Sequence, residues 1–159
     1  MRTFFTLCLL FISLCVKAQD IPEVTVKNLA GDDISTSEFK NSKDIKVISF
    51  WATWCVPCIN ELDAISEIYQ DWQDETNVEV IAISTDDART RRRVKPLING
   101  KDWEFKIYVD ENQDLKRALN INILPYVIIV KDGKIIHTRT GYTPGSEEEL
   151  FEIVKQHTD

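Results

Sequence analysis

Short apolar runs alternate with segments of helical periodicity along most of this chain. Residues 45–50, 78–84 and 126–130 are too short for ordinary helices and too continuously apolar for half-exposed strands, so they predict buried strands. After the first of them the spacing becomes helical, from about Cys55 to Trp72. One face of that segment carries Leu62, Ile65, Ile68, Tyr69 and Trp72.

Turn residues indicate the remaining strands. Residues 24–26 precede a turn at Gly31-Asp32-Asp33, which predicts a short N-terminal hairpin. Residues 105–109 form another strand-like run. A Lys-Asp-Gly turn separates residues 126–130 from residues 134–140, so these two segments predict a second hairpin.

Three further helices are predicted from capping residues and apolar spacing. They are expected from Asp86 or Asp87 to Leu97, from Asn112 or Asp114 to Leu119, and from Ser146 onward with Glu149 at the capping-box position. From residue 45 onward the resulting order is βαβαβαββα, which predicts an α/β fold. Its mixed central sheet has helices on both faces, which gives a three-layer sandwich.

The first residues of the chain have the pattern of an export signal. Arg2 provides a basic start, residues 3–16 are almost continuously apolar, and Val16-Lys17-Ala18 ends the run at positions that a signal peptidase tests. We therefore expect residues 1–18 to be a cleaved signal peptide and residues 19–159 to form the mature domain. An uncleaved membrane anchor is the alternative, although the apolar run is short for a membrane span.

Cleavage of the export signal would also change which cysteines the mature protein contains. A lipoprotein signal ending at Cys15 is disfavoured because Leu14 stands where a small side chain is needed. Cleavage of residues 1–18 removes Cys8 and Cys15 together, which leaves Cys55 and Cys58 alone. Two cysteines in a domain of this length form a site rather than a disulfide scaffold.

Composition and charge restrict the possible partners. The 159 residues are 43% hydrophobic and 28% charged, which suits one globular domain with a small appendage. The net charge of −7 becomes −9 once Arg2 and Lys17 are removed, since 17 of the 19 basic residues remain against 26 acidic residues. Such a balance argues against nucleic acids and anionic membrane surfaces as partners.

Residues 50–58, FWATWCVPC, carry the candidate chemistry. Cys55 is expected where the buried strand ends and the next helix begins, so unpaired amides and the helix dipole favour its thiolate. Cys58, one turn further on the same face, can then attack a mixed disulfide on Cys55. Pro57 fixes the first turn without loss of a helical hydrogen bond, and Trp54 shields one side of the pair.

Two other interpretations of the cysteine pair, a metal site and a structural disulfide, have less support in the sequence. A metal site needs further sulfur or imidazole ligands, and only His137 and His157 are available, without ligand-like spacing. A permanent structural disulfide would close a very small loop and would not need the strand–Trp–helix setting. Neither a metal nor an organic cofactor is required by the redox interpretation.

The motif resembles the active-site stretch of the thioredoxin family, specifically its exported TlpA/ResA/CcmG-like thiol–disulfide oxidoreductases. The resemblance extends from about Ile21 to the end of the chain and implies a thioredoxin-like fold. NILPYVIIV matches the family's cis-proline loop, so it implies a cis bond at Pro125 and substrate pairing along the backbone of Leu124. The helix and strand within residues 86–109 match the central insertion of the exported branch.

Glu61 stands where many ResA-like proteins have a glutamate, three residues after Cys58. The resemblance implies a proton relay for the second thiol, whereas a solvated glutamate near the helix start is the alternative. Ser49 replaces the buried aspartate of cytosolic thioredoxins, which shifts that duty to Glu61 or water. Asp63 lies near the family's helix-kinking proline, so a straighter helix is expected.

The resemblance implies a periplasmic or otherwise extracytoplasmic reductase of cysteine-containing proteins, a monomer recharged by a membrane electron donor. Apocytochrome c maturation and broader thiol repair are both compatible with it. A dithiol oxidase or isomerase is the nearest alternative, because one motif runs in either direction. A peroxiredoxin-like peroxidase and a binding module with an inert disulfide are less compatible with the motif. The basic segment at residues 89–93 either docks an acidic partner or solvates a helix face.

Overall fold

A computed structural model of the chain describes residues 19–40 and 44–158. The predicted signal peptide, with Cys8 and Cys15, lies outside these residues. In chain order the elements are β1 (Thr25–Asn28), β2 (Asp33–Ser35), β3 (Lys46–Trp51), α1 (Val56–Thr76), β4 (Glu79–Ser84), α2 (Val94–Ile98), β5 (Lys106–Val109), α3 (Asp114–Ala118), β6 (Tyr126–Lys131), β7 (Lys134–Thr140) and α4 (Ser146–His157).

The strands form one mixed sheet in the order β2-β1-β5-β4-β3-β6-β7. β3, β4 and β5 are parallel to one another, and the other neighbouring pairs are antiparallel. Both predicted hairpins are present. The two-residue turn between β6 and β7 has positive φ at Asp132 (51°) and Gly133 (75°), as a type I′ turn requires.

Helices cover both faces of the sheet, which confirms the predicted three-layer α/β architecture. β3 is buried along its whole length because its alternate side chains point into opposite layers. Val47 and Trp51 belong to the cluster that includes residues of α1 and α4. Ile48 and Phe50 belong to the opposite cluster, together with Leu115 of α3.

The helix predicted from Asp86 begins later than expected, so this prediction is wrong in its start and length. After β4 the chain forms a 3₁₀ turn at Arg91–Arg93 and becomes α2 only at Val94. Asp86 is fully buried, and its carboxylate accepts hydrogen bonds from the amide and hydroxyl of Thr53. A buried amide without a hydrogen-bond partner destabilises the folded state more than an exposed helix start without a cap does. This difference explains why the Asp86 carboxylate binds Thr53 instead of capping a helix.

The start of α3 is also capped by a different residue from those predicted. Neither Asn112 nor Asp114 caps it. Asp110, buried just after β5, accepts hydrogen bonds from the amides of Leu115 (3.3 Å) and Lys116 (2.9 Å). The carboxylate reaches these amides from outside the helix because the chain turns sharply between β5 and α3.

α4 begins at Ser146 as predicted, but the capping-box assignment of Glu149 is wrong. Gly145 precedes the helix with φ of 92°, a left-handed conformation rather than the extended one of an ordinary cap. The carboxylate that reaches back to the Gly145 amide is that of Glu147, at 3.1 and 3.2 Å.

α1 runs without interruption for 21 residues, in agreement with the straighter helix expected from Asp63. The Asp63 carboxylate accepts hydrogen bonds from Trp103 Nε1 at 2.9 Å and Lys101 Nζ at 2.6 Å, which ties the helix to the segment before β5. Within the described ranges, no helix is both long enough and apolar enough to cross a membrane.

Candidate active site

The two motif cysteines are joined by a disulfide at the start of α1, with Cα atoms 5.3 Å apart. Cys55 is the N-cap residue in an extended conformation, and Val56 and Pro57 begin the helix. The first turn carries no acidic side chain, so no nearby carboxylate of that turn opposes negative charge on Cys55. The position of the pair is the one that the sequence predicts.

The segment of Leu124 and Pro125 lies at the same end of the sheet as the disulfide. β3 and β6 are antiparallel with Phe50 opposite Tyr126, so the residue after Pro125 pairs with the strand that leads into Cys55. The Leu124–Pro125 peptide bond is cis, as the resemblance implies. The structure thus brings the predicted substrate-binding segment to the end of the sheet at which the cysteines lie.

Exposed apolar side chains lie next to these residues in the chain. Trp54, Val56 and Ile123 are 59%, 65% and 63% exposed. Of the two cysteines, Cys55 keeps 6% of its surface exposed and Cys58 none. Cys55 is therefore the cysteine of the pair with exposed surface, and both neighbouring loops carry exposed apolar surface beside it.

A buried carboxylate lies one helical turn beyond Cys58. Glu61 is fully buried and accepts hydrogen bonds from Ser49 Oγ at 2.9 Å and Arg139 Nη2 at 2.6 Å. The sheet register explains this meeting, because Ser49 pairs with Val127 on β6 and Val127 pairs with Arg139 on β7. The two partners of Glu61 therefore stand in one row of the sheet beneath α1.

Burial raises the pKa of Glu61, while the charge of Arg139 and the hydrogen bond from Ser49 oppose this rise. Glu147 raises the pKa further through its negative charge. A carboxylate with a raised pKa accepts a proton more readily than an exposed glutamate does. The alternative of a solvated Glu61 is wrong, because this side of α1 faces the sheet.

Arg139 is a site residue that the sequence patterns do not reveal. It lies 78 positions from Glu61, and a single arginine on a hairpin strand gives no local signal of a buried partner. Its Nη1 also donates to the carbonyl of Ser146, so Arg139 connects β7 with α1 and the start of α4. The only hint in the sequence is Ser49, a residue that can donate to a buried carboxylate but cannot replace one.

The loop that leads into Cys55 is fixed from the β4 side. Asp86 accepts hydrogen bonds from Thr53 N (2.8 Å), Thr53 Oγ1 (2.7 Å) and Ser84 Oγ (2.8 Å). The Thr85 amide donates to the Trp51 carbonyl at 2.8 Å. The bonds from Thr53 to Asp86 and from Thr85 to Trp51 join residues more than 30 positions apart, and they hold the loop before Cys55 against the chain that follows β4.

The chain matches a known protein family over most of its length. The family model described as AhpC/TSA matches residues 18–139. The chain belongs to the AhpC/TSA family. It is 30% identical over 141 residues to the thiol-disulfide oxidoreductase ResA of Bacillus thuringiensis subsp. konkukian, with 88% of this chain and 78% of the relative covered.

Solved structures place this AhpC/TSA family member in the thioredoxin fold. An uncharacterized thioredoxin-like protein from Porphyromonas gingivalis is 45% identical and superposes with a TM-score of 0.77, covering 87% of this chain and 91% of its own. A putative thiol:disulfide interchange protein DsbE from Chlorobium tepidum shares the fold at 18% identity, with a TM-score of 0.74 and coverage of 86% and 93%.

The relatives and the Cys55–Cys58 disulfide together make this family member a thiol–disulfide oxidoreductase of the ResA-like, thioredoxin-fold group. A peroxidase with a lone reactive cysteine does not account for the pairing of the two sulfurs. Residues 19–40 and 44–158 contain no cluster of three or more histidine, cysteine, aspartate or glutamate side chains that could hold a metal ion.

Proposed function

We propose that this protein reduces disulfides in cysteine-containing proteins outside the cytoplasm. The observation that carries the proposal is the asymmetry of the cysteine pair: Cys55 lies at an exposed helix start, and Cys58 lies buried one turn from the carboxylate of Glu61. A reductant needs this division, because one sulfur attacks the substrate and the other resolves the product.

The reduced protein carries two thiols. The Cys55 thiolate, stabilised at the start of α1, attacks one sulfur of the substrate disulfide. A Cys55–substrate disulfide forms, and the other substrate sulfur leaves as a thiolate that takes up a proton. Cys58 then loses its proton and attacks Cys55 Sγ, which releases the second substrate thiolate. Two electrons pass to the substrate, and the oxidised pair is the state seen in the structure.

We assign the proton of Cys58 to Glu61. In a dry environment a thiol ionises poorly unless a base lies nearby, and water cannot reach this residue easily because Cys58 is fully buried. Residues three positions apart on a helix are neighbours, so Glu61 lies next to Cys58 on the buried face of α1. Arg139 and Ser49 hold the carboxylate in place, and its raised pKa suits proton uptake.

The site and the N-terminal sequence support the kind of substrate and electron donor that we propose. An extended cysteine-bearing segment fits along the Leu124-Pro125 edge, next to the exposed side chains of Trp54 and Ile123. Residues 1–18 have the pattern of an export signal, so the protein works where disulfides form and must receive electrons from a membrane donor. Apocytochrome c is one substrate of the expected kind.

The reduction potential of the Cys55–Cys58 pair tests the proposal directly. The protein is equilibrated against glutathione or dithiothreitol redox buffers, and its thiol content is measured after acid quenching. A potential at or below about −220 mV supports the reductase. A value near about −120 mV identifies a dithiol oxidase instead, and a pair that does not exchange overturns the catalytic role altogether.

A further inference from the structure

We propose that an arginine-lined groove beside Trp54 makes this enzyme prefer substrates with an acidic side chain close to the reacting cysteine. We call it the Arg93 groove. Its lining consists of Trp54, Thr85, Asp87, Arg89, Thr90, Arg93 and Gln113. The inference rests on the proposed reductase function, since it names the kind of protein segment that the same site accepts.

The Arg93 groove is fixed relative to the reactive cysteine. Trp54, which forms one wall, is the residue immediately before Cys55. The opposite wall follows β4, whose last residue, Ser84, pairs with Trp51 at the end of β3. The hydrogen bonds that Thr53 donates to Asp86 join the residues adjacent to the two walls, since Thr53 precedes Trp54 and Asp86 precedes Asp87. A substrate that reaches Cys55 therefore passes next to the groove.

The groove has one guanidinium that is free to bind a ligand. Asp87, the only acidic residue in the lining, already accepts hydrogen bonds from the amide, Nε and Nη2 of Arg89. Arg91 pairs with Glu111 outside the groove at 2.6 Å. Arg93 is exposed, and its side chain makes no ion pair or hydrogen bond with residues 19–40 or 44–158.

These features select a carboxylate as the ligand. A guanidinium binds a carboxylate through two parallel hydrogen bonds, and the hydroxyl of Thr90 offers a further donor in the same groove. The chain as a whole carries a net charge of −7, so the Arg93 groove is a local basic site on an acidic protein. The exposed ring of Trp54 covers an apolar residue of the same substrate segment. Acidic peptides around a disulfide are therefore favoured over neutral and basic ones.

The test uses three homodimeric disulfide peptides that differ only in carrying Glu, Gln or Lys on both sides of the cysteine. Each peptide bears a self-quenching fluorophore, so its reduction by the reduced protein is followed as a rise in fluorescence. The rate of each peptide with dithiothreitol corrects for intrinsic reactivity. We compare wild type with Arg93→Gln and with the control Arg92→Gln. The control removes the same charge from the neighbouring exposed residue, which lines a different groove.

We expect wild type to reduce the Glu peptide about three- to fivefold faster than the Gln peptide, a ratio typical of one exposed charge pair. The ratio falls to about 1 in Arg93→Gln, remains in Arg92→Gln, and shrinks in high salt. Arg93→Glu reverses the preference toward the Lys peptide. A ratio near 1 in wild type, or equal losses in both glutamine variants, overturns the inference while leaving the reductase intact. If no peptide is reduced, the proposed function itself fails.

Discussion

The two sides of the active-site disulfide differ sharply in their surroundings. On the outer side, Cys55 lies among exposed apolar side chains and a basic groove. On the inner side, Cys58 lies above a buried row of polar side chains, Glu61, Ser49 and Arg139. One four-residue motif therefore places two sulfurs in different environments. The proposed roles of nucleophile and resolving thiol rest on this difference in surroundings, because the two residues are of the same type.

Replacing each cysteine by serine gives the largest contrast between the two sides. Cys55→Ser abolishes reduction of protein disulfides, because no attacking thiolate remains. Cys58→Ser still attacks but cannot resolve, so it accumulates a Cys55–substrate disulfide. Mass spectrometry after alkylation detects this adduct in Cys58→Ser only. Accumulation of an adduct in Cys55→Ser would reverse the assignment.

Arg139→Met tests whether the inner side depends on charge pairing. The change leaves the Glu61 carboxylate buried without its cation, and we expect a loss of about 3–5 kcal/mol in the free energy of unfolding at neutral pH. Urea denaturation measures this loss, which should shrink at acidic pH as Glu61 protonates. Lys27→Met is the control, since it breaks an exposed ion pair of the same 2.6 Å length and should cause no measurable change. Equal effects of the two variants would contradict a special role for the buried pair.

Glu61→Gln separates the two chemical steps. The variant keeps the shape of the side chain but cannot accept a proton, so the resolving step should slow about 100-fold while the first attack is unchanged. Rapid acid quenching followed by mass spectrometry measures how long the mixed disulfide persists. Glu67→Gln, on the exposed face of the same helix, is the control and should behave as wild type. A mixed disulfide that decays equally fast in both variants would leave Glu61 with a structural role only.

The pH dependence of stability provides a measure of the buried environment. Because burial raises the folded-state pKa of Glu61 above its ordinary value of 4.5, its contribution to stability is fully present below that value and is lost as pH rises through the folded pKa. The unfolding free energy of wild type minus that of Glu61→Gln should therefore fall across this window and stay constant above it. A difference that increases with pH would mean that Arg139 outweighs burial and lowers the pKa.

Trp54→Ala should have the smallest effect, and it concerns the outer side. Trp54 is 59% exposed, so its removal leaves the free energy of unfolding nearly unchanged. Lost contact with substrate should lower kcat/KM for peptide disulfides about three- to tenfold. Reduction of a small-molecule disulfide, which does not cover Trp54, serves as the reference reaction. A similar loss on both substrates would indicate a damaged site rather than a lost contact.

The local sequence by itself determined most elements, the motif and its place at a helix start. Apolar runs and turn residues are local signals, so β3, α1 and both hairpins follow from the pattern of the chain. Glu61 is also predicted, through the resemblance to ResA-like proteins that have a glutamate three residues after the second cysteine. Its burial remained undecided, since periodicity tells which side chains share a face of a helix and not what covers that face.

Only the tertiary structure decided the partners of the site. Glu61 meets Arg139 across 78 positions, and Asp86 meets Thr53 across 33. Such pairs depend on sheet register: Ser49, Val127 and Arg139 come into one row because β3, β6 and β7 are neighbours in this register. A shift of one residue would turn these side chains to the opposite face. Register arises from the packing of the whole sheet, and no local pattern near Arg139 or Asp86 encodes it.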